Sequence, residues 1–515
     1  MKACKMLSFC LFYFIIILFL YYSLKNKKPV KWEELLNMLT LNQYKRNEDT
    51  QRIPGPIRLP FIGTKWNCCF LNMNKLHEYY ADLNTEYGDV VMELQGNTPV
   101  VSLFNRKDIE QVLKYPSKYP FRPPNEIVSF YRALHPERYN TVGLTNAQGR
   151  EWADLRPKLA PNSLQNRKFL SNFCPEINQI CDDFVKTMKV HRNSENVVEN
   201  VQLVLKSMSF ESSCCLVFGQ RMGFFSHTGS QYQELSTAAN NIFLCIRDAY
   251  YGNGLWKYFP TKIYKTFAKS EDHLYDAIVS IIKKSLQHEN TAEKNEKAAI
   301  FTAILNNDGL DDRDKVSGII DIITAGIEVL SHTVSFLLYY LTINPEAQDK
   351  IYEETLNMNE ELTNEDFVRA FYTRAAIHEA FRISSSAFAV ARILEQDFNL
   401  SGHHIKAGSI VLCQNMIANN KEENFDNATE YKPERWLTGS GEFDPNLCKG
   451  SSLVLPFGTG KRICPGKKFV ELELTILVIK LVRSFKFKYH SEFEKQFEFL
   501  LAPKAPVNIQ FCDRS

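Results

Sequence analysis

The tightest constraint on this chain is Pro456-Phe457-Gly458-Thr459-Gly460-Lys461-Arg462-Ile463-Cys464-Pro465-Gly466, followed at once by an apolar helical run over residues 469–482. A glycine-rich loop thus delivers one cysteine to the start of a helix. Gly458 and Gly460 permit tight turns. A helix amino end offers unpaired N–H groups and positive dipole, which lower a thiol pKa and favour thiolate. A thiolate so placed serves as a nucleophile, as in a cysteine hydrolase, or as an axial ligand to haem iron. A buried core cysteine after a turn is the bland alternative.

Composition narrows the field. The 515 residues are 44% hydrophobic and 23% charged, ordinary globular values that exclude disorder and collagen-like repeats. Lys and Arg number 61 against 59 Asp and Glu, a formal charge of +2, so no global attraction draws nucleic acid. The 13 cysteines stand singly apart from Cys68-Cys69 and Cys214-Cys215, and no C-x-x-C occurs. Neither a disulfide framework nor a zinc ribbon follows, and most are expected as reduced, buried thiols.

Residues 6–24 carry no charge, a run about as long as the ~18 to 20 residues that cross a bilayer as a helix. Lys25, Lys27, Lys28 and Lys31 follow it, while only Lys2 and Lys5 precede it. The positive-inside rule then leaves the body of the protein cytosolic, the topology of an endoplasmic-reticulum signal anchor over residues 1–24. A cleaved secretory peptide would have a shorter apolar region of ~7 to 15 residues and a small-residue cleavage site. A mitochondrial transit peptide would be Arg-rich, and residues 1–24 hold no arginine.

A polar linker over residues 25–52 leads to Ile53-Pro54-Gly55-Pro56-Ile57-Arg58-Leu59-Pro60, whose prolines make a stiff extended connector. Residues 90–94 and 100–104 are β-prone runs split by Gln95-Gly96-Asn97-Thr98-Pro99, the pattern of a hairpin. Helical periods dominate afterwards, with breaks at Asn307-Asp308-Gly309 and Asn344-Pro345 and one long helix over 316–340. Strand signals return near 393–410. The reading is one mainly α domain with small β-sheets, an α+β architecture, over residues 53–515.

Phe457, Gly460, Arg462, Cys464 and Gly466 match F-x-x-G-x-R-x-C-x-G, five fixed residues expected by chance in on the order of one window per million. Glu379-Ala380-Phe381-Arg382 fits E-x-x-R, Pro433-Glu434-Arg435-Trp436 fits P-E-R-F/W, and Trp152 with Arg156 fits W-x-x-x-R. On these motifs the chain resembles the cytochrome P450 family. The match extends from about residue 53 to the carboxyl end. Ile53-Pro54-Gly55-Pro56, Lys75-Leu76-His77-Glu78-Tyr79-Tyr80 and Tyr119-Pro120-Phe121-Arg122-Pro123-Pro124 are similar to arthropod steroid-hydroxylating members of its mitochondrial-type branch.

The resemblance implies haem b between a long central helix and the cysteine loop, with Cys464 as iron ligand and Phe457, Gly460, Arg462 and Gly466 around it. Trp152, Arg156, Arg392 and Arg462 would hold the propionates, since guanidinium suits carboxylate. Glu379, Arg382 and Arg435 would form a buried structural triad. Ala325-Gly326 would leave room for O₂, the co-substrate, and Glu328 would relay protons from solvent toward the reacting oxygen. A surface glutamate is the rival reading of Glu328. Val329 departs from the pattern, because the family usually has threonine there and valine cannot hydrogen-bond. Ser331, Thr333, an ordered water or a substrate hydroxyl could replace it, and His332 reads as a satisfied packing residue.

The resemblance further implies an acidic ferredoxin as electron donor, docking on Arg374 and, more weakly, on the only partly cationic His378, with Lys461, Lys467 and Lys468 close to the cysteine. The implied reaction is hydroxylation of a steroid in an apolar pocket, at the mitochondrial inner membrane, which conflicts with the anchor. Two other readings stay open. One is a P450-fold isomerase or dehydratase of a peroxide, suggested by Val329. The other is a haem-binding sensor without turnover, which would leave Glu328 and the basic cluster without purpose.

Overall fold

The computed structural model describes residues 53–58, 63–64, 71–95, 98–161, 164, 166–224, 230–252, 254–289, 299–489 and 493–514. The expected anchor and linker, residues 1–52, lie outside the described residues, as do Cys68 and Cys69.

The expected hairpin is present: β1 (Val90–Gln95) runs antiparallel to β2 (Thr98–Leu103), with Val90 opposite Leu103 and Gln95 opposite Thr98. Its valines are buried on both faces of a small sheet, Val90 and Val101 in one core cluster and Val91 and Val100 in another. Two strands from the later β-prone region complete it. β3 (Val390–Ile393) pairs antiparallel with β4 (Ile410–Cys413), which pairs parallel with β2. The sheet order is therefore β1-β2-β4-β3, and Arg392 on β3 is carried toward the cysteine loop.

Five helices frame the site or its surroundings. α1 (Gly149–Leu159) bears Trp152 and Arg156. α2 (Val201–Phe218) is almost wholly buried. α3 (Asp312–Ile343) is the long central helix. Asp311 caps its start by accepting from Arg313 N, with Asp312 and Asp314 in its first turn favouring the dipole. It stops at Asn344 because Pro345 disfavours helical geometry in the residue before it. The predicted break at Asn307 is a turn in which the Asn307 side chain accepts from Gly309 N at 3.0 Å. α4 (Phe371–Ile383) carries the E-x-x-R pair, and α5 (Lys467–Ser484) follows the cysteine loop.

Among the described residues, α2 and α3 are long and apolar enough to cross a membrane, yet their apolar stretches are mostly buried and pack together. Apolarity on every side marks them as core helices. Near the chain end, β5 (Lys495–Phe497) and β6 (Leu501–Pro503) form an antiparallel hairpin whose tip reaches α3.

The Glu379 carboxylate is fully buried and saturated with donors. Arg382 Nε and Nη2 reach it at 2.9 and 2.8 Å, Arg435 Nε at 3.0 Å, Trp436 Nε1 at 2.8 Å and Lys432 N at 3.1 Å. Arg382 also donates to the carbonyls of Asn419, Ala428 and Glu430. The triad thus fastens α4 to the coil that leads into the cysteine loop. Breaking one buried partner typically costs about 3–5 kcal/mol. The described cysteines are all free thiols, and Cys174, Cys181, Cys214, Cys215, Cys245 and Cys413 are buried, as composition led one to expect.

Candidate active site

The loop before α5 holds Cys464 as its sequence suggested. Gly458 and Gly460 have φ of +70° and +66°, left-handed values open to glycine, and Cys464 N donates to Phe457 O at 2.9 Å to close the turn. The Phe457 ring meets Phe381 of α4 edge-on at 5.5 Å. Gly466 caps α5 with an ordinary φ of −78°, and a Cβ there would stand 3.9 Å from Cys464 Sγ, an ordinary contact.

One expectation changes here. Burial pushes the Cys464 thiol up, and this outweighs the N–H groups of Gly466 and Lys467 and the charges of Arg156 and Arg122. The helix start alone therefore does not make the sulfur an anion. A coordinating metal ion does so outright.

Arginines converge beside the sulfur. Arg156 Nη2 donates to Ile463 O at 2.7 Å, and Arg392 Nη2 to Thr459 O at 3.2 Å. The Arg462 guanidinium lies 4.0 Å over the Trp152 ring and donates to Pro120 O and Ala147 O, both at 2.9 Å. Its Nη1 is buried without a partner. A fourth, Arg122, was not singled out from sequence; it donates to Thr145 O at 3.3 Å.

No described carboxylate pairs with any of the four. Burial, then mutual repulsion, brings Arg462 down to about 9 and Arg122 down to about 10. A desolvated group of like charges with a spare N–H calls for an anion of more than one charge. The two carboxylates of haem b, above a sulfur that needs a metal to ionise, fit this donor set. Cys464 would hold the iron, and Trp152, Arg122, Arg156, Arg392 and Arg462 the propionate side.

On the opposite wall, Ile322, Ala325, Val329 and Thr333 follow one another at intervals of three or four along α3 and stay at least partly accessible, Ala325 the most. Ala325 is open, as expected. Gly326 is not: a Cβ there would collide with Ser213 Oγ of α2. Close packing against α2 therefore gives this glycine a reason of its own, beside the room for O₂ expected of it. Ser331 and Thr333 donate back to the carbonyls of Glu328 at 3.1 Å and Val329 at 2.8 Å, so each has committed its one donor and retains only acceptor capacity.

Glu328 is 1% exposed, which excludes the surface reading. Lys206 Nζ of α2 lies 2.9 Å from its Oε2, and His332 Nε2 lies 3.3 Å away. Burial pushes the carboxyl up, but His332 and Lys206 outweigh it and leave it below its usual value. His332 is thus not a satisfied packing residue, since its Nδ1 is buried without a partner.

The expected docking face is only partly as read. Arg374 is held between the rings of Phe443 at 4.6 Å and Phe367 at 5.0 Å. Lys467 and Lys468 flank Glu471 at 3.7 and 3.3 Å. His378 lies against Trp436 at 4.5 Å, and burial, then Lys467 and Arg374, pushes its imidazole down to about 3. It is neutral at physiological pH and adds to that face not even the partial charge expected of it.

A thiol loop, a buried carboxylate–guanidinium triad and a cationic collar facing a long helix are the parts of one fold family. The chain belongs to the cytochrome P450 family, whose model matches residues 53–512. It is accordingly a haem-thiolate protein of that fold. Among curated relatives, Ecdysone 20-monooxygenase of Drosophila melanogaster is 46% identical over 484 residues, covering 90% of this chain and 88% of the relative. The mitochondrial Cytochrome P450 302a1 of the same fly is 29% identical over 477 residues, covering 89% and 94%. Cytochrome P450 10 of Lymnaea stagnalis is 26% identical over 474 residues, covering 90% and 86%.

Proposed function

We propose that this protein is a steroid monooxygenase that hydroxylates ecdysone to 20-hydroxyecdysone with O₂ and electrons from a ferredoxin. The 46% identity to a relative named for that reaction carries the substrate assignment. Bound haem would supply the oxidising chemistry, with thiolate donation favouring O–O cleavage. Residues 53–515 act as one catalytic domain, behind a linker at 25–52 and a membrane anchor at 1–24. The mitochondrial names among the relatives favour the inner membrane, whereas the anchor favours the endoplasmic reticulum.

In this reading Cys464 ligates the iron, while Arg122, Arg156, Arg392 and Arg462 orient the macrocycle through its carboxylates. Ile322, Ala325 and Val329 give the pocket an apolar wall that excludes water and receives a steroid. Glu328 holds and hands on protons from behind that wall, anchored by Lys206. Arg374, Lys467 and Lys468 receive the ferredoxin.

A second reading has its own observation: Val329 lacks a hydroxyl, and those of Ser331 and Thr333 are engaged. A peroxide isomerase or dehydratase needs no electron donor. The test incubates purified haem-loaded protein with ecdysone, with and without NADPH, ferredoxin and ferredoxin reductase. Electron-dependent hydroxylated product is expected. Absence of product from protein with an intact reduced carbon monoxide band would overturn the steroid reading and favour the second.

A further inference from the structure

Glu328 is not the end of its polar chain. His332, one turn further along α3, places Nε2 3.3 Å from Glu328 Oε2 and 3.8 Å from Glu498 Oε2. Side-chain exposure rises along the series, from 1% at Glu328 and 3% at His332 to 14% at Glu498. The line runs from the core beside Val329 toward the surface.

Glu498 stands at the tip between β5 and β6, where Phe499 has φ of +75°, a costly conformation for a bulky residue. The Gln496 amide occupies Glu498 Oε1 at 2.7 Å, and Glu498 N donates to Leu500 O at 2.8 Å. The remaining oxygen, Oε2, is the one beside His332. The three donor atoms lie within 4.8 Å of one another, a spacing that would also suit a divalent cation. Lys206 Nζ, 2.9 Å from Glu328, already supplies the positive charge there.

We propose that His332 and Glu498 form the route by which Glu328 exchanges protons with solvent; the inference rests on the reading of Glu328 as proton donor. The transfer balances on one nitrogen. A protonated Glu498 gives its proton to the Nε2 lone pair, leaving carboxylate and imidazolium. The imidazolium Nε2–H then passes to Glu328, restoring neutral imidazole and a carboxylic acid. Glu498 regains a proton from water.

Nδ1, buried without a partner, keeps its own proton throughout, which leaves Nε2 as the one ring nitrogen that faces both carboxylates and carries the transfer. On the following turns Ser331, Thr333 and Ser335 donate to helix carbonyls, whereas the Thr324 hydroxyl, one turn before Glu328, is buried without a partner on the side away from His332 and Glu498 along the helix.

The test uses full-length, haem-loaded protein with ferredoxin, its reductase, NADPH and ecdysone. Product per NADPH and hydrogen peroxide release are measured for wild type, Glu328→Gln, His332→Asn and Glu498→Gln, each with an intact carbon monoxide band. Coupling in His332→Asn and Glu498→Gln is expected to fall by about tenfold or more, toward that of Glu328→Gln, with electrons diverted to peroxide.

A readout independent of turnover accompanies it: solvent exchange of the His332 ring proton, followed by NMR in ¹⁵N-histidine-labelled, carbon-monoxide-bound protein. Glu498→Gln should slow that exchange. Full coupling in both variants while Glu328→Gln uncouples would overturn the route and leave the Glu328 reading standing. Full coupling in Glu328→Gln would overturn both. Lost coupling without slowed exchange would reduce His332 to packing and overturn the route.

Discussion

At the scale of single residues, the cationic collar is the feature that decides whether haem is held. Arg122 has the same desolvated, repelled environment as Arg462, so its removal withdraws a charge-assisted partner worth about 1.5–3 kcal/mol. Arg122→Gln should retain haem roughly ten- to a hundredfold less well, as read by transfer to an acceptor protein. Arg122→Lys should recover only part of that, since lysine cannot reproduce the planar fork. Trp152, Arg156 and Arg462 were legible because motif spacing marks them, and Arg392 through the family resemblance. Arg122 was not, because it sits in the aperiodic, proline-flanked stretch Tyr119-Pro120-Phe121-Arg122-Pro123-Pro124, where neither helix nor strand periodicity tells which way a side chain is turned. His378 failed for the converse reason. Spacing gave its place on α4, while its neutrality comes from rings distant in sequence.

At the scale of elements, α2 is the hub that sequence alone did not disclose. Its consecutive serines serve two neighbours: Ser212 donates to Glu473 of α5, and Ser213 fills the space over Gly326 of α3. Gly326→Ala should lower stability by about 1–3 kcal/mol through overpacking, and Ser213→Gly in the same chain should restore much of it. Thermal melts of the four proteins in this cycle would check the packing role, since a glycine kept only for O₂ would show no rescue.

Glu473 adds a pH dependence. Burial, partly offset by the Ser212 hydrogen bond, pushes its carboxyl from 4.5 up to about 7. The native state then binds more protons than the unfolded state between these values, so stability falls as pH rises through that window, by about 3 kcal/mol for this group. Glu473→Gln should flatten that part of the profile in denaturant titrations at stepped pH. The length of α3, its breaks and the β1–β2 hairpin were readable because they depend on local capping, proline and alternation. The serine contacts depend on helix apposition, which no local pattern encodes.

At the scale of the whole molecule, the near-neutral total conceals a local excess of positive charge where Arg122, Arg156, Arg392 and Arg462 meet. If Lys467 and Lys468 receive the ferredoxin as proposed, the double variant Lys467→Glu, Lys468→Glu should weaken that docking. The expected result is a KM for ferredoxin raised by about tenfold at low salt, and a weaker response to ionic strength. His378→Gln should leave that response unchanged, because the imidazole is already uncharged.

The same imbalance bears on how the protein is made. Arg122, Arg156, Arg392 and Arg462 come from the Tyr119–Pro124 stretch, α1, β3 and the cysteine loop, parts far apart in the chain. Their hydrogen bonds to Ile463 O, Thr459 O, Pro120 O and Ala147 O tie these parts together, while their like charges oppose the same closure. Two carboxylates bound among them would relieve that opposition, so the cofactor would contribute to the stability of the finished fold as well as to its chemistry.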